Sequence, residues 1–239
     1  MSRRKTLGEI KWPDDATSRR LAISWANSIV EQALKLVWQG FDIVYMDNLK
    51  DAPDLVEAHP EQLERELTQW HYIAIERAHR TTTDGFQSFY PIHEPHEFLS
   101  RKGGNAMPPS YDIGFIHTTN MSWILPVEAK LLWSSEALSE YLKDVNEKYA
   151  TGVAAPQVGE CGMIGYLLKG TVDNVFAGLT AQLGQALEPM VSFEGRAHRT
   201  TTHQRLKAPA LRVHHMVMSC VSPQTKKSRH VVGRRRAAE

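Results

Sequence analysis

Apolar residues recur at helical spacing near the start of the chain: Leu21, Trp25, Ile29, Ala33, Leu36 and Val37 fall on one face. The pattern predicts a helix over residues 17–39, capped by Thr17 or Ser18 and ended by Gly40. A short apolar piece, Phe41 to Met46, leads into an acidic, proline-containing loop. Pro60 suits a first helical turn, and Glu61 and Glu64 match the positive end of the helix dipole. Leu63, Leu67, Trp70 and Ala74 then form one apolar face. Residues 84–110 carry Pro91, Pro95, Gly103, Gly104, Pro108 and Pro109 and read as loop.

The pattern then changes period. Two apolar runs flank Thr118, Thr119 and Asn120, which predicts a hairpin of two strands. Ser134 or Ser135 caps a helix from Glu136 to about Tyr149, with Leu138, Leu142 and Val145 inward and Lys143 and Lys148 on its polar side. Cys161 to Leu168 reads as a buried strand, Thr171 opens a helix to about Leu187, and Leu211 to Met218 reads as a last strand. A strand, a helix and another strand in succession favour parallel neighbours, so the fold class is α/β, a mixed sheet flanked by helices.

Composition narrows this picture only a little. The chain has 239 residues and 42% apolar content, and no segment reaches the roughly 20 apolar residues of a membrane span. Met1 to Lys5 is basic with no secretory core behind it, and Cys161 and Cys220 lack metal-ligand spacing. A cytoplasmic protein without membrane contact is the expectation. Net charge is only +1, but it is unevenly placed. Acids crowd Asp42 to Glu66, whereas residues 196–236 hold many lysines and arginines and no acid. That basic stretch makes Arg196, His198, Arg199, Arg205 and Lys207 candidates for phosphate contact, and leaves 222–239 as a basic tail.

The candidate chemistry sits in the hairpin. Glu128 and Lys130 are two residues apart, so on a strand they emerge on one face, and an antiparallel neighbour brings Asp112 opposite them. Two converging carboxylates repel unless a cation lies between them, and Mg²⁺ prefers such oxygen ligands. A Glu-x-Lys pair on a strand is also a common solvated edge pair that contributes little. Here Val127 precedes it and Leu131, Leu132 and Trp133 follow, and a charged pair in so apolar a segment asks for a reason.

Asp112, a gap of fifteen residues, then Glu128-Ala129-Lys130 resembles the PD-(D/E)xK motif of the restriction-endonuclease-like nucleases. Its proline departs from the pattern, standing at Pro109 rather than beside the aspartate. The resemblance implies a nuclease core over 109–221, with 1–108 a helical elaboration packed on it. It also implies Mg²⁺, or Mn²⁺ in its place, held by Asp112 and Glu128 with the Ala129 carbonyl as a further ligand. Lys130 would position the attacking water, and Glu66, on the preceding helix, would supply an extra acidic ligand. The implied substrate is DNA and the implied setting is restriction or phage defence, with a second copy of the chain or a partner ATPase as companions. The rival expectation is a nucleic-acid-binding or assembly protein on the same scaffold with a degenerate site; an RNA substrate is a third.

Three further features carry less. Gln157, Gly159 and Glu160 precede the third core strand and could border the site. His93-Glu94-Pro95-His96-Glu97 lacks the spacing of a zinc helix, and Pro95 would break one. The heptapeptide Arg77 to Thr83 recurs unchanged as Arg196 to Thr202, with donors suited either to phosphates or to caps and turns.

Overall fold

The computed structural model describes residues 16–47, 59–81, 88–97, 108–118, 120–156, 158–206 and 208–220. Helix α1 spans Ala16–Asp47 and helix α2 Pro60–Thr81. Strands β1 (Phe89–His93), β2 (Ile113–His117) and β3 (Asn120–Leu132) follow, then helix α3 (Ser135–Lys143), continued by a π-helical turn, Asp144–Tyr149. Strand β4 (Glu160–Leu167), helix α4 (Val172–Leu183) and strands β5 (Glu188–Pro189), β6 (His198–His203) and β7 (Leu211–Ser219) complete the order. The seven strands form one sheet in the order β1-β2-β3-β4-β7-β6-β5. β3, β4 and β7 run parallel at its centre, and the outer pairs are antiparallel. The fold is thus α/β, a mixed sheet with helices on both faces.

Alternation along the strands assigns the two faces. Leu125, Val127, Ala129 and Leu131 of β3 join Ile164 and Tyr166 of β4 in the core under α1 and α2. Ile124 and Leu132 join Met163, Leu167, Tyr141 and Val145 under α3, its π turn and α4. Glu128 and Lys130 therefore point toward the π turn. The β2–β3 hairpin holds the expected register, with Ile113 opposite Val127, and Glu128 lies beside Met163 of parallel β4. Ser134 caps α3 by accepting from the Ala137 N–H at 3.2 Å.

Several expectations are corrected. Helix α1 already includes Ala16, so Thr17 and Ser18 lie inside it, and it runs on through Gly40. Gly40 is a packing residue: a Cβ there would meet Ile75 Cγ1 at 2.6 Å, so it lets α1 and α2 approach closely. The segment read as loop contains β1, whose Pro91 is tolerated because β1 is an edge strand. The sheet thus begins before residue 109, and β1 belongs to it together with the 109–221 strands. Helix α4 stops at Gly184, in the left-handed region at φ 64°, before Leu187. The second heptapeptide copy enters β6 after Gly195, at φ 82°, while Arg77–Thr81 of the first is the end of α2. No helix among the described residues is long and apolar enough to cross a membrane.

Candidate active site

Strand β2 ends as partner of β3 at Ile113–Val127, so the β3 edge beyond that point has lost its neighbour. Two carboxylates take the exposed backbone donors. Asp112 Oδ2 accepts from the Ala129 N–H at 2.7 Å, and Glu64 Oε2 of α2 accepts from the Leu131 N–H at 3.0 Å. The same stretch of β3 sends Glu128 and Lys130 toward the π turn. Asp112, Glu128 and Lys130 thus come together, as their positions in the sequence suggested.

The Lys130 ammonium lies 3.2 Å from Glu64 Oε1, 3.5 Å from Asp144 Oδ2 and 3.7 Å from Glu128 Oε1. Lys148 reaches Asp144 Oδ1 at 2.8 Å and Glu128 Oε1 at 3.2 Å, and the Tyr149 hydroxyl donates to Glu128 Oε2 at 3.4 Å. Asp112, Glu128, Glu64 and Asp144 with Lys130 and Lys148 make four carboxylates and two ammonium groups, a fully ionised charge of about −2. Asp144 Oδ2 is buried and accepts no hydrogen bond from a described group.

Burial and charge set the protonation states. Glu128 is 6% exposed, and burial, then the Asp112 carboxylate, raise it to about 7 against the pull of Lys148 and Lys130. Asp112 is also raised, by burial above all, with the Ala129 N–H and Lys130 opposing. Burial disfavours the charge on Lys130, but Glu64, Glu128, Asp112 and Asp144 outweigh it and push its pKa up. Lys130 is therefore an ammonium at neutral pH. It can orient a water and stabilise developing negative charge, but it cannot accept a proton.

The all-oxygen donor set of the carboxylates is of the kind that suits a hard divalent cation such as Mg²⁺. Among the described residues, however, no three acidic, histidine or cysteine side chains are grouped as a metal site. The two ammonium groups stand between the carboxylates instead.

The helix carboxylate at the cluster is Glu64, not Glu66. Glu66 accepts from Gln62 at 2.8 Å on the exposed side of α2. The buried stripe of α2 includes Thr68, His71, Ile75 and Ala78, and Glu64 sits at its N-terminal end. Counting only apolar residues rotated that face. Asp144, Lys148 and Tyr149 were missed because α-helical spacing makes polar residues here read as a solvated side.

The proposed basic footprint is dispersed. Arg205 is buried and donates to the carbonyls of Pro209, Ala155 and Val158, the last two at 3.1 and 2.6 Å. Arg196 pairs with Asp42 at 2.7 Å and lies over the Trp38 ring, on the α1 face. Arg199 lies over Phe176 of α4, on the opposite face. His198 is buried between Trp38 and His214, and Lys207 lies outside the described residues. Glu160 does not border the site either, since it accepts from His214 at 2.7 Å on the α1 side of the sheet. Glu97 accepts from the Tyr111 hydroxyl and the Ala155 N–H, bracing a loop rather than joining a histidine cluster. No protein-family model, curated protein or solved structure matches this chain.

Proposed function

We propose that the chain is a metal-dependent nuclease that hydrolyses phosphodiester bonds in DNA. The observation that carries this reading is the convergence of Asp112, Glu128 and Lys130 where β2 stops pairing with β3, inside a cluster of four carboxylates and two ammonium groups. The same proposal covers the finer fold. The β2–β3 hairpin, the crossover through α3 and the parallel β4 agree with the restriction-endonuclease-like core that the motif implies.

In this mechanism Asp112 and Glu128 would hold Mg²⁺, or Mn²⁺, which when bound supplies charge stabilisation to the scissile phosphate. Lys130 holds the attacking water in line with phosphorus and stabilises the charge that gathers on the phosphoryl oxygens. The water oxygen bonds to phosphorus and gives up a proton to solvent, one ester P–O bond breaks, and the leaving oxygen takes a proton from solvent, so the products are a phosphomonoester and a free hydroxyl. Glu64 and Asp144 fix the Lys130 ammonium in place. Setting the reacting groups in this way is what such a site contributes to phosphoryl chemistry.

The rival, a degenerate nucleic-acid-binding or assembly protein on this scaffold, has one observation in its favour: two lysines already neutralise half the carboxylate charge. Incubating the protein with supercoiled, linear and single-stranded DNA and with RNA, in Mg²⁺ and in EDTA, separates the two. Cleavage of DNA in Mg²⁺ alone is expected, lost by at least about 10²-fold in Lys130→Ala and Glu128→Gln with the fold intact by circular dichroism. Cleavage of RNA alone moves the substrate class. No cleavage of any substrate in Mg²⁺ or Mn²⁺ favours the rival.

A further inference from the structure

We propose that Lys148, on the π turn, grips the phosphodiester, while Lys130 stays among the carboxylates. The assignment rests on the nuclease reading above and names a second working lysine for it.

The two ammonium groups differ in enclosure. Lys130 is 22% exposed and has three carboxylates within 4 Å. Lys148 is 43% exposed and sits on the solvent side of Glu128 and Asp144. Both of its carboxylates also face Lys130, so Lys148 can leave one of them without stranding a buried charge. A phosphodiester coming from solvent meets Lys148 first.

The π turn is what puts it there. At the ~100° per residue of an α-helix, Tyr149 would point roughly 140° away from Asp144. The wider π turn, about 4.4 residues per turn, folds Asp144, Lys148 and Tyr149 into one arc of about 80°. All three then reach the Glu128–Lys130 group from a single turn. Asp144 Oδ2, buried and without a hydrogen bond, points into the same cluster, 3.5 Å from the Lys130 ammonium, while Asp144 Oδ1 holds Lys148 at 2.8 Å. In the bound state Lys148 exchanges one carboxylate contact for a charge-assisted hydrogen bond to a non-bridging phosphate oxygen. A lysine is a mobile point charge, and a phosphate contact carries no base information, so the grip acts on any sequence.

The test uses the full chain as wild type, Lys148→Met, Lys148→Arg and Lys143→Met. Lys143, 55% exposed on the same helix, controls for net charge. Affinity for a short fluorescent duplex is measured in EDTA across a salt series, Mn²⁺ binding by calorimetry, and cleavage in Mg²⁺ as kcat and KM. Lys148→Met should weaken duplex binding by roughly tenfold at low salt and reduce the salt slope by about one. It should raise KM more than it lowers kcat. It should also bind Mn²⁺ about fivefold more tightly, because two carboxylates lose a counter-ion. Lys148→Arg should restore duplex binding, and Lys143→Met should resemble wild type.

Wild-type duplex affinity and salt slope in Lys148→Met overturn the assignment while leaving the nuclease reading standing. Weaker Mn²⁺ binding together with a lower melting temperature makes Lys148 a scaffold residue and overturns it as well. If the wild type neither binds nor cuts DNA, the nuclease reading falls and this assignment falls with it.

Discussion

Two groups of buried polar side chains share this sheet and obey opposite rules. Around β6 and β7, every ring nitrogen of His198, His214 and His215 has a partner. The Trp38 indole N–H is only a donor, so His198 Nδ1 accepts from it at 3.3 Å, and that choice fixes the rest. His198 Nε2–H donates to His214 Nδ1 at 3.1 Å, and His214 Nε2–H donates to Glu160 at 2.7 Å. His215 bonds the Tyr141 hydroxyl and the Thr201 hydroxyl, each at 2.9 Å. This chain is satisfied with neutral rings, and burial first, then the neighbouring histidines, lower His198 and His215 to about 3. Around β3, four carboxylates share two ammonium groups, and Asp144 Oδ2 has an ion-pair contact with Lys130 at 3.5 Å but no hydrogen bond. A polar group in a core holds the fold together when its valences are filled, and offers chemistry when some are left over.

The largest effect expected from this contrast separates rate from stability. His214→Phe leaves His198 and Glu160 without their shared partner and should cost about 3 kcal/mol in urea unfolding. Its cleavage rate per folded molecule should stay within about twofold of wild type. Lys130→Ala should show the reverse, most of the rate lost and the fold kept in Mg²⁺. A His214→Phe protein that is folded yet inactive would erase the distinction.

Unfolding as a function of pH, without metal, should reveal slopes of opposite sign. Glu128 rises from its ordinary 4.5 to about 7 on folding, so between those values the folded state binds more protons than the unfolded state. Stability therefore falls as pH rises through that window, by roughly 3 kcal/mol at most, and raised Asp112 acts with the same sign. His198 and His215 fall from 6.5 to about 3, so the unfolded state binds more protons there. Their stability is present above 6.5 and is lost as pH falls, by about 1.4 kcal/mol per pH unit for each ring. Glu128→Gln should remove Glu128's share of the first slope, leaving that of Asp112, and keep the second. A variant whose stability tracks wild type at every pH would show that Glu128 is ordinary.

The smallest effect concerns α2. Glu64→Gln should lower the cleavage rate about tenfold, because Lys130 and the Leu131 N–H lose a carboxylate, while Glu66→Gln should stay within about twofold. Equal losses in the two variants would mean that α2 acts only through packing.

Much of this site was legible in the sequence, and the missing parts have definite causes. Asp112, Glu128 and Lys130 could be placed together because strand period and a hairpin turn fix which side chains share a face. Glu64 was displaced to Glu66 because the buried stripe of α2 contains Thr68 and His71, which polarity alone assigns to solvent. Asp144 and Lys148 were out of reach because nothing in their identity signals a π turn. Charge misled most at Arg205, which reads as a phosphate contact but is buried against three carbonyls. Gly40 looked like a helix stop and is instead where two helices touch.

The proposed function requires Asp112 and Glu128 to take up a divalent cation in spite of the two lysines between the carboxylates, and direct titration of the purified chain with Mn²⁺ tests this most simply. One bound Mn²⁺ per chain is expected in the wild type and in His214→Phe, with binding lost or weakened at least about tenfold in Asp112→Asn and Glu128→Gln. Equal Mn²⁺ binding by wild type and Glu128→Gln, or no binding by any of them, would contradict the account.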